Sequence, residues 1–448
     1  MSFRFPLLGS FVVATACFGC SSESASDDTP DAGVGAGGTC PGVGAPAGLR
    51  IAEGGRIVVP RTGGLENPGL TFEGVGARVV SNETTITIHV PYIDQADAEL
   101  SLDVRCAEGT TRIPITLKAL AWQKLAEGGS PTREYGSFWL DPEGGLVLFG
   151  GFQYEPKQFT PANDAWRFDF ASNAWAQLTG TSLPTLPGGR VASIPGSRAV
   201  YFYGGAETAA NGSLTTPPSL YRFDYDATTI AATAAPKMET APGSYTGGLV
   251  YDSKRARWLS VCGLDPAVGV HCDVHAYTPE TGFELLEVAK GSKPRGRYGF
   301  HYAYDEETDR IVVFAGSDGS GPKDIAADTW ALELGQTPPA WVSLSKSSEV
   351  AAPRRNGAFA LDPVGHRMFV WGGTPDGRNS VAGLQALSLD RDSETWSHVA
   401  TLEEPIARTS GFAVYDPARS RMLFGFGNGA AVYADLWALD LSNDPITR

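Results

Sequence analysis

Residues 294–341 read PRGRYGFHYAYDEETDRIVVFAGSDGSGPKDIAADTWALELGQTPPAW. An alternating run over 298–304 leads into an acidic turn. A continuous apolar run, Ile311-Val312-Val313-Phe314, then ends in Ala315-Gly316. A polar loop follows, Asp328-Thr329-Trp330 opens a third run, and Trp341 marks a fourth. Alternation of period two and short apolar runs bounded by Gly, Pro and Asp are strand signatures. The stretch therefore spells a four-stranded meander.

The meander recurs with a period of roughly 55 residues, and such a repeat has to be recognised before single residues are interpreted. Its glycine step returns as Phe149-Gly150-Gly151, Tyr203-Gly204-Gly205, Val261-Cys262-Gly263, Phe314-Ala315-Gly316, Trp371-Gly372-Gly373 and Gly425-Phe426-Gly427. Third-strand aromatics follow as Trp166, Tyr221, Trp330 and Trp437, with His275 and Gln385 in the other two copies. Trp175, Trp341 and Trp396 mark fourth strands. Four strands per repeat, stacked so that neighbours share a core, describe propeller blades. Glycine after the second strand allows positive φ or close backbone approach. The last copy, 407–442, holds three strands. Residues 119–125 (ALAWQKL) read as the missing fourth, with Trp122 in the place of Trp175 and Trp396. That strand should close the ring and leave no free edge.

These motifs resemble the kelch repeat, from about Ala119 to the C-terminus. The fold expected is all-β: a six-bladed kelch-type β-propeller over 119–448, preceded by a small Ig-like β-sandwich over 40–118. The sandwich is read from strand-like runs such as TTITIHV at 84–90. Residues 70–106 resemble an immunoglobulin-like module of the IPT/TIG type, which implies spacing or binding. A propeller is a scaffold for many activities and names none of them.

The N-terminus reads as targeting. Arg4 precedes a short apolar segment over 7–19, the pattern of a signal peptide. Gly19-Cys20-Ser21-Ser22 resembles the lipobox of bacterial lipoproteins and implies lipidation at Cys20, with Cys17 a competing site and plain secretion the alternative. Residues 1–20 are thus a lipoprotein signal peptide. The small, acidic stretch 21–39 is a disordered linker. The expected location is the bacterial cell envelope, in the outer membrane or periplasm. Pairing Cys40 with Cys106 and Cys262 with Cys272 keeps each disulfide in one predicted domain. It is one of three connectivities that four cysteines allow, and it fits an oxidising compartment.

The formal net charge is −15 and the pI is near 4.9. Such a chain is a poor nucleic-acid binder, because affinity there comes largely from neutralised phosphates. An Arg stands at the start of four first strands, Arg133, Arg297, Arg354 and Arg408. Arg190 is read as the fifth, and Ser244 interrupts the series. Such a ring of guanidinium groups either holds an anion at the channel mouth or ties blades together. Tyr154 lies in a long second-to-third loop, and His301 alternates within an inner strand as a channel-lining or core residue. The resemblance admits copper oxidases, with paired His, two Tyr and a Cys-linked Tyr, but no such motif is visible. No metal site and no cofactor are expected. The expected role is a monomeric binding lipoprotein that recognises a protein or glycan through its loop face. The alternatives are an acidic-sugar isomerase-like enzyme with an Arg-lined mouth and a structural envelope protein.

Overall fold

The computed structural model describes residues 49–60, 69–72, 75–76, 78–81, 85–90, 98–106, 109–155, 158–208, 214–236, 242–321, 324–344, 351–391, 394–442 and 444–445. Residues 1–39, read above as signal peptide and linker, lie outside them, as does Cys40. Every regular element among the described residues is a β-strand, and no helix there is long and apolar enough to cross a membrane.

Six blades follow one another. The first is built from Ser137–Leu140, Leu146–Phe149, Ala165–Asp169 and Ala174–Thr181, and the second from Arg190–Ser193, Ala199–Tyr203, Leu220–Tyr225 and Thr229–Ala234. The third comprises Gly248–Asp252, Arg257–Asp265, Gly269–Thr278 and Gly282–Leu285. The fourth comprises His301–Asp305, Arg310–Phe314, Thr329–Glu333 and Ala340–Ser343, and the fifth Ala358–Asp362, Arg367–Trp371, Leu384–Ser388 and Trp396–Val399. The sixth has Phe412–Asp416, Arg421–Gly425 and Leu436–Asp440. Its fourth place is taken by Leu120–Ala126, antiparallel to the third strand with Trp122 opposite Leu439. First strands touch in ring order and close between the sixth blade and the first.

The glycine step has a steric explanation. Its last residue is always Gly, and at Gly205, Gly263, Gly316, Gly373 and Gly427 the amide donates to a carbonyl of the next blade. A Cβ on Gly427 would stand 2.4 Å from the Thr409 carbonyl oxygen, and one on Gly373 would stand 2.8 Å from that of Arg355. Both also have φ near +90°, where side chains are strained. The middle residue is also left-handed: a Cβ would stand 2.1 Å from the Ser244 carbonyl oxygen at Gly204 and 2.3 Å from that of Arg408 at Gly372, while Cys262, Ala315 and Phe426 hold the same conformation in the other blades.

Between blades the cores are aromatic. Phe149, Phe202 and Phe223 form one contact between blades one and two, and Trp371 meets Phe424 at a centroid distance of 4.4 Å between five and six. Such rings each bury on the order of 150–250 Å². In blade three the sequence suggests a long second-to-third loop over 264–271. The segment 264–271 is not a long loop, because its second and third strands run on to Asp265 and Gly269. Cys262 and Cys272 are disulfide-bonded across these two strands, beside a bulge between Val261 and Gly263.

The N-terminal residues form two sheets. One runs Arg56–Pro60, Thr85–His89, Arg78–Ser81. The other includes Leu49–Ala52, Gly109–Lys118, Ala98–Cys106 and Gly69–Phe72. Asp444–Pro445 adds to Leu49–Ala52, so the chain's last described strand pairs with its first. Arg56 pairs with Glu307 at 3.0 Å, His89 with Asp390 at 2.9 Å, and Lys118 with Asp440. These contacts seat the module on the side of the propeller that carries the turns between first and second strands.

Candidate functional site

Four of the five candidate arginines are clamps rather than ligand sites. Arg133, Arg297, Arg354 and Arg408 are all buried to about the same extent, at 0–1% exposure. Each donates to a carbonyl at its own blade's glycine step: Gly150, Ala315, Gly372 and Phe426 in turn. Each also reaches the start of the third strand, where Arg133 meets Asp164, Arg297 meets Asp328 and Arg408 meets Asp435. The same aspartates accept the indole N–H of Trp166, Trp330 and Trp437 at 2.7–2.8 Å. The Asp-x-Trp step is therefore a two-donor clamp, and the aspartates are more than turn formers. In blade five the partner is neutral: Arg354 Nη2 donates to Gln385 Oε1 at 2.7 Å. With no carboxylate opposite, burial pulls the Arg354 pKa down to about 10.

His301 is fully buried and staples two blades. Its Nδ1 faces the Phe314 carbonyl at 3.3 Å, and its Nε2 accepts the Gly357 amide of blade five at 3.1 Å. Burial, helped by nearby Arg354, lowers its pKa to about 3, so the ring is neutral.

Above the first strands the backbone forms a closed circle. Tyr135 donates to Ser410, Gly188 to Tyr135, Thr246 to Gly188, Gly299 to Thr246, Asn356 to Gly299 and Ser410 to Asn356, at 2.7–3.3 Å. All six residues have positive φ, between 47° and 80°. Each blade thus gives one amide and takes one carbonyl at this neck. Asn356 Nδ2 donates to the Tyr135 hydroxyl at 2.9 Å across the circle, and the Tyr135 and Tyr245 rings lie 6.0 Å apart.

The circle corrects the register of Arg190. Counting from the neck residue, the clamp position in blade two is Leu186, and Arg190 stands four residues further on, where blade four has His301. It lines the central channel instead, a cavity of about 940 Å³ running from the neck to the turns between first and second strands. The acids lining that cavity are partnered. Asp141 holds Arg167, Glu143 holds Arg198, Asp305 holds His366 and Asp416 holds Arg421, while Glu306 takes the Ser253 hydroxyl and Glu307 the Arg56 fork. The Arg190 side chain makes no hydrogen bond or ion pair among the described residues, and its Nε is buried without a partner.

Outside the neck lies the loop face. Strands Phe152–Glu155 and Gln158–Pro161 pair antiparallel as a β-hairpin, which presents Tyr154 and Phe159 at 46% and 42% exposure. Their centroids are 5.2 Å apart. Below it, Arg355 Nη1 donates to the Tyr298 hydroxyl at 2.6 Å. Burial raises the Glu134 carboxyl, against a hydrogen bond from Asn428. Sequence reasoning passed over Arg355, Tyr298 and Glu134. Each directly follows a clamp arginine, and that offset was the available signal.

On the opposite side His366 joins the propeller to the module. Its Nδ1 meets Asp390 at 2.9 Å and its Nε2 meets Asp305 at 3.1 Å, while the other oxygen of Asp390 takes His89. Burial opposes charge on His366, but the two carboxylates prevail and raise its pKa to about 9. Glu307, His366 and Asp390 are close enough to suggest a cation site. Both ring nitrogens already carry protons directed at carboxylates, however, so the arrangement is an ion-pair relay.

Comparisons with known proteins agree with the repeat. The family model for the KLHDC2/KLHL20/DRC7 Kelch-repeats domain matches residues 261–447. Adagio-like protein 1 of Oryza sativa subsp. japonica is 26% identical over 308 residues, covering 63% of this chain and 45% of that protein. Multiple epidermal growth factor-like domains protein 8 of Mus musculus is 28% identical over 192 residues, covering 42% of this chain and 7% of that protein. The chain therefore spans less than half the length of these relatives. The solved structure of YjhT aligns with a TM-score of 0.46 at 14% identity, over 72% of this chain and 96% of that chain. Glycine steps, arginine clamps and the matched model fall on one scaffold, a six-bladed β-propeller whose residues 261–447 match a Kelch-repeats domain.

Proposed function

We propose that this protein is an interaction module of the bacterial cell envelope, held there by a lipidated N-terminus, whose propeller recognises a partner protein through its loop face. The observation that carries the reading is the hairpin of Phe152–Glu155 and Gln158–Pro161. It projects two exposed aromatic rings from a scaffold fixed by clamps and by the neck. Variable loops on a rigid frame are where binding concentrates, and aromatic side chains dominate interface energetics. A glycan that stacks on the two rings is the alternative partner. The enzymatic reading loses its basis, because four of the arginines it required are buried in clamps.

The test places a photo-crosslinking residue at position 159 and, as a control on the outer strand of blade three, at the exposed Leu285. Crosslinking is run on intact envelopes, with a glycan array in parallel. A discrete protein adduct from position 159 alone is expected. It should fall at least tenfold when Tyr154→Ala is added, with the melting temperature unchanged. A glycan hit lost in Tyr154→Ala would transfer the site to sugars. Equal adducts from both positions would sink the loop-face reading.

A further inference from the structure

We infer that the central channel is a second binding site, for a small amphipathic monocarboxylate whose anionic end meets Arg190 beneath the neck. The inference is independent of the loop-face hairpin, which lies on the other side of the hydrogen-bonded circle.

The argument begins with charge. Each carboxylate lining the channel has a partner, and Arg190 has none among the described residues. Arg190 is thus a guanidinium with no acid beside it at the inner end of the channel, while Glu306 at the outer end takes only a hydroxyl. Glu134, beyond the neck, makes no ion pair with it and is hydrogen-bonded by Asn428. Arg190 is half-buried with its Nε enclosed, and its fork matches a carboxylate bidentately. A monoanion would neutralise the site. A phosphate would bring further charge that no other free cation in the lining meets.

Shape and lining define the rest of the ligand. A volume of about 940 Å³ lies within the range of small-molecule sites. Below Arg190 the walls are Ala192, Ala303, Ala360, Tyr302 and Phe359, which offer apolar contact and few donors. The neck narrows the loop-face end with the Tyr135–Asn356 hydrogen bond. The route in is thus from the side of Glu143, Ser253 and Glu306, the opposite side from the hairpin.

The experiment titrates the purified full chain with octanoate, octanol and inorganic phosphate by calorimetry. Octanoate is expected to bind one to one, with octanol and phosphate at least tenfold weaker. Arg190→Met should weaken octanoate by tenfold or more, while Arg190→Lys retains part of the affinity. Because the free guanidinium is a functional cost to the fold, Arg190→Met should keep or raise the melting temperature. Tyr154→Ala should leave octanoate binding unchanged, which separates this site from the loop face. Equal binding of octanoate and octanol, an unaltered Kd in Arg190→Met, or no octanoate binding at millimolar concentration would each overturn the proposal. A fall of several degrees in the melting temperature of Arg190→Met would overturn it too, by making the guanidinium a structural group.

Discussion

Arg408→Ala is expected to remove about 3–5 kcal/mol of folding stability, the range for breaking a buried ion pair from one side. The substitution strands Asp435, which is 8% exposed and would keep only its indole partner. It also frees the Phe426 carbonyl at the glycine step. Arg354→Ala is the internal control. Its partner is the neutral Gln385, so no charge is left buried, and a loss nearer 1–3 kcal/mol is expected, as for an unsatisfied neutral group. Urea denaturation of both variants and of the Arg408→Ala, Asp435→Ala pair checks the account. The double variant should be more stable than Arg408→Ala. Equal losses in the two single variants would mean that the carbonyl contacts, and not the aspartates, carry the clamp.

Stability should depend on pH with opposite signs at two histidines. For His366 the unfolded ring titrates near 6.5 and the folded one near 9, so the folded protein holds the extra proton between these values. Its contribution is complete below pH 6.5 and lost as pH rises through 9, a change of about 3 kcal/mol. For His301 the folded pKa falls to about 3, so the unfolded chain holds the extra proton between pH 3 and 6.5, and stability is lost as pH drops through that range. His366→Gln isolates the first effect from other titrating groups. At pH 6 it should cost several kcal/mol more than at pH 9.5, since above pH 9 the wild-type ring is itself neutral. A gap between wild type and variant that does not change over that interval would remove the charged ring from the account. The loss should also loosen the N-terminal module, because Asp390 bridges His366 to His89.

Much of the fold was legible because it is written in local pattern. Trp122 sits where fourth-strand tryptophans sit, and so the orphan strand could be placed before any coordinates. The clamps were half legible. Arg133 and Asp164 are 31 residues apart, as are Arg297 and Asp328 and Arg354 and Gln385. Applied to Arg190, the same spacing reaches Tyr221, not an acid, which marks it as the odd member. His366 was beyond reach, because its partner Asp305 is 61 residues away in another blade and nothing in the repeat announces the contact. The circle at the neck is made by backbone groups. Its only trace in sequence is the left-handed tolerance of Gly188, Gly299 and Asn356.

That circle has an electrical consequence. A helix adds its peptide dipoles along one axis and ends with partial charges that attract ions. Here six N–H to O=C bonds run the same way around a loop, so their tangential moments cancel and the circuit has no positive or negative end. An ion on the axis of this constriction meets no charged end of the kind that a helix terminus offers. A preference of this constriction for one sign of charge therefore depends on the side chains around it, Arg190 among them.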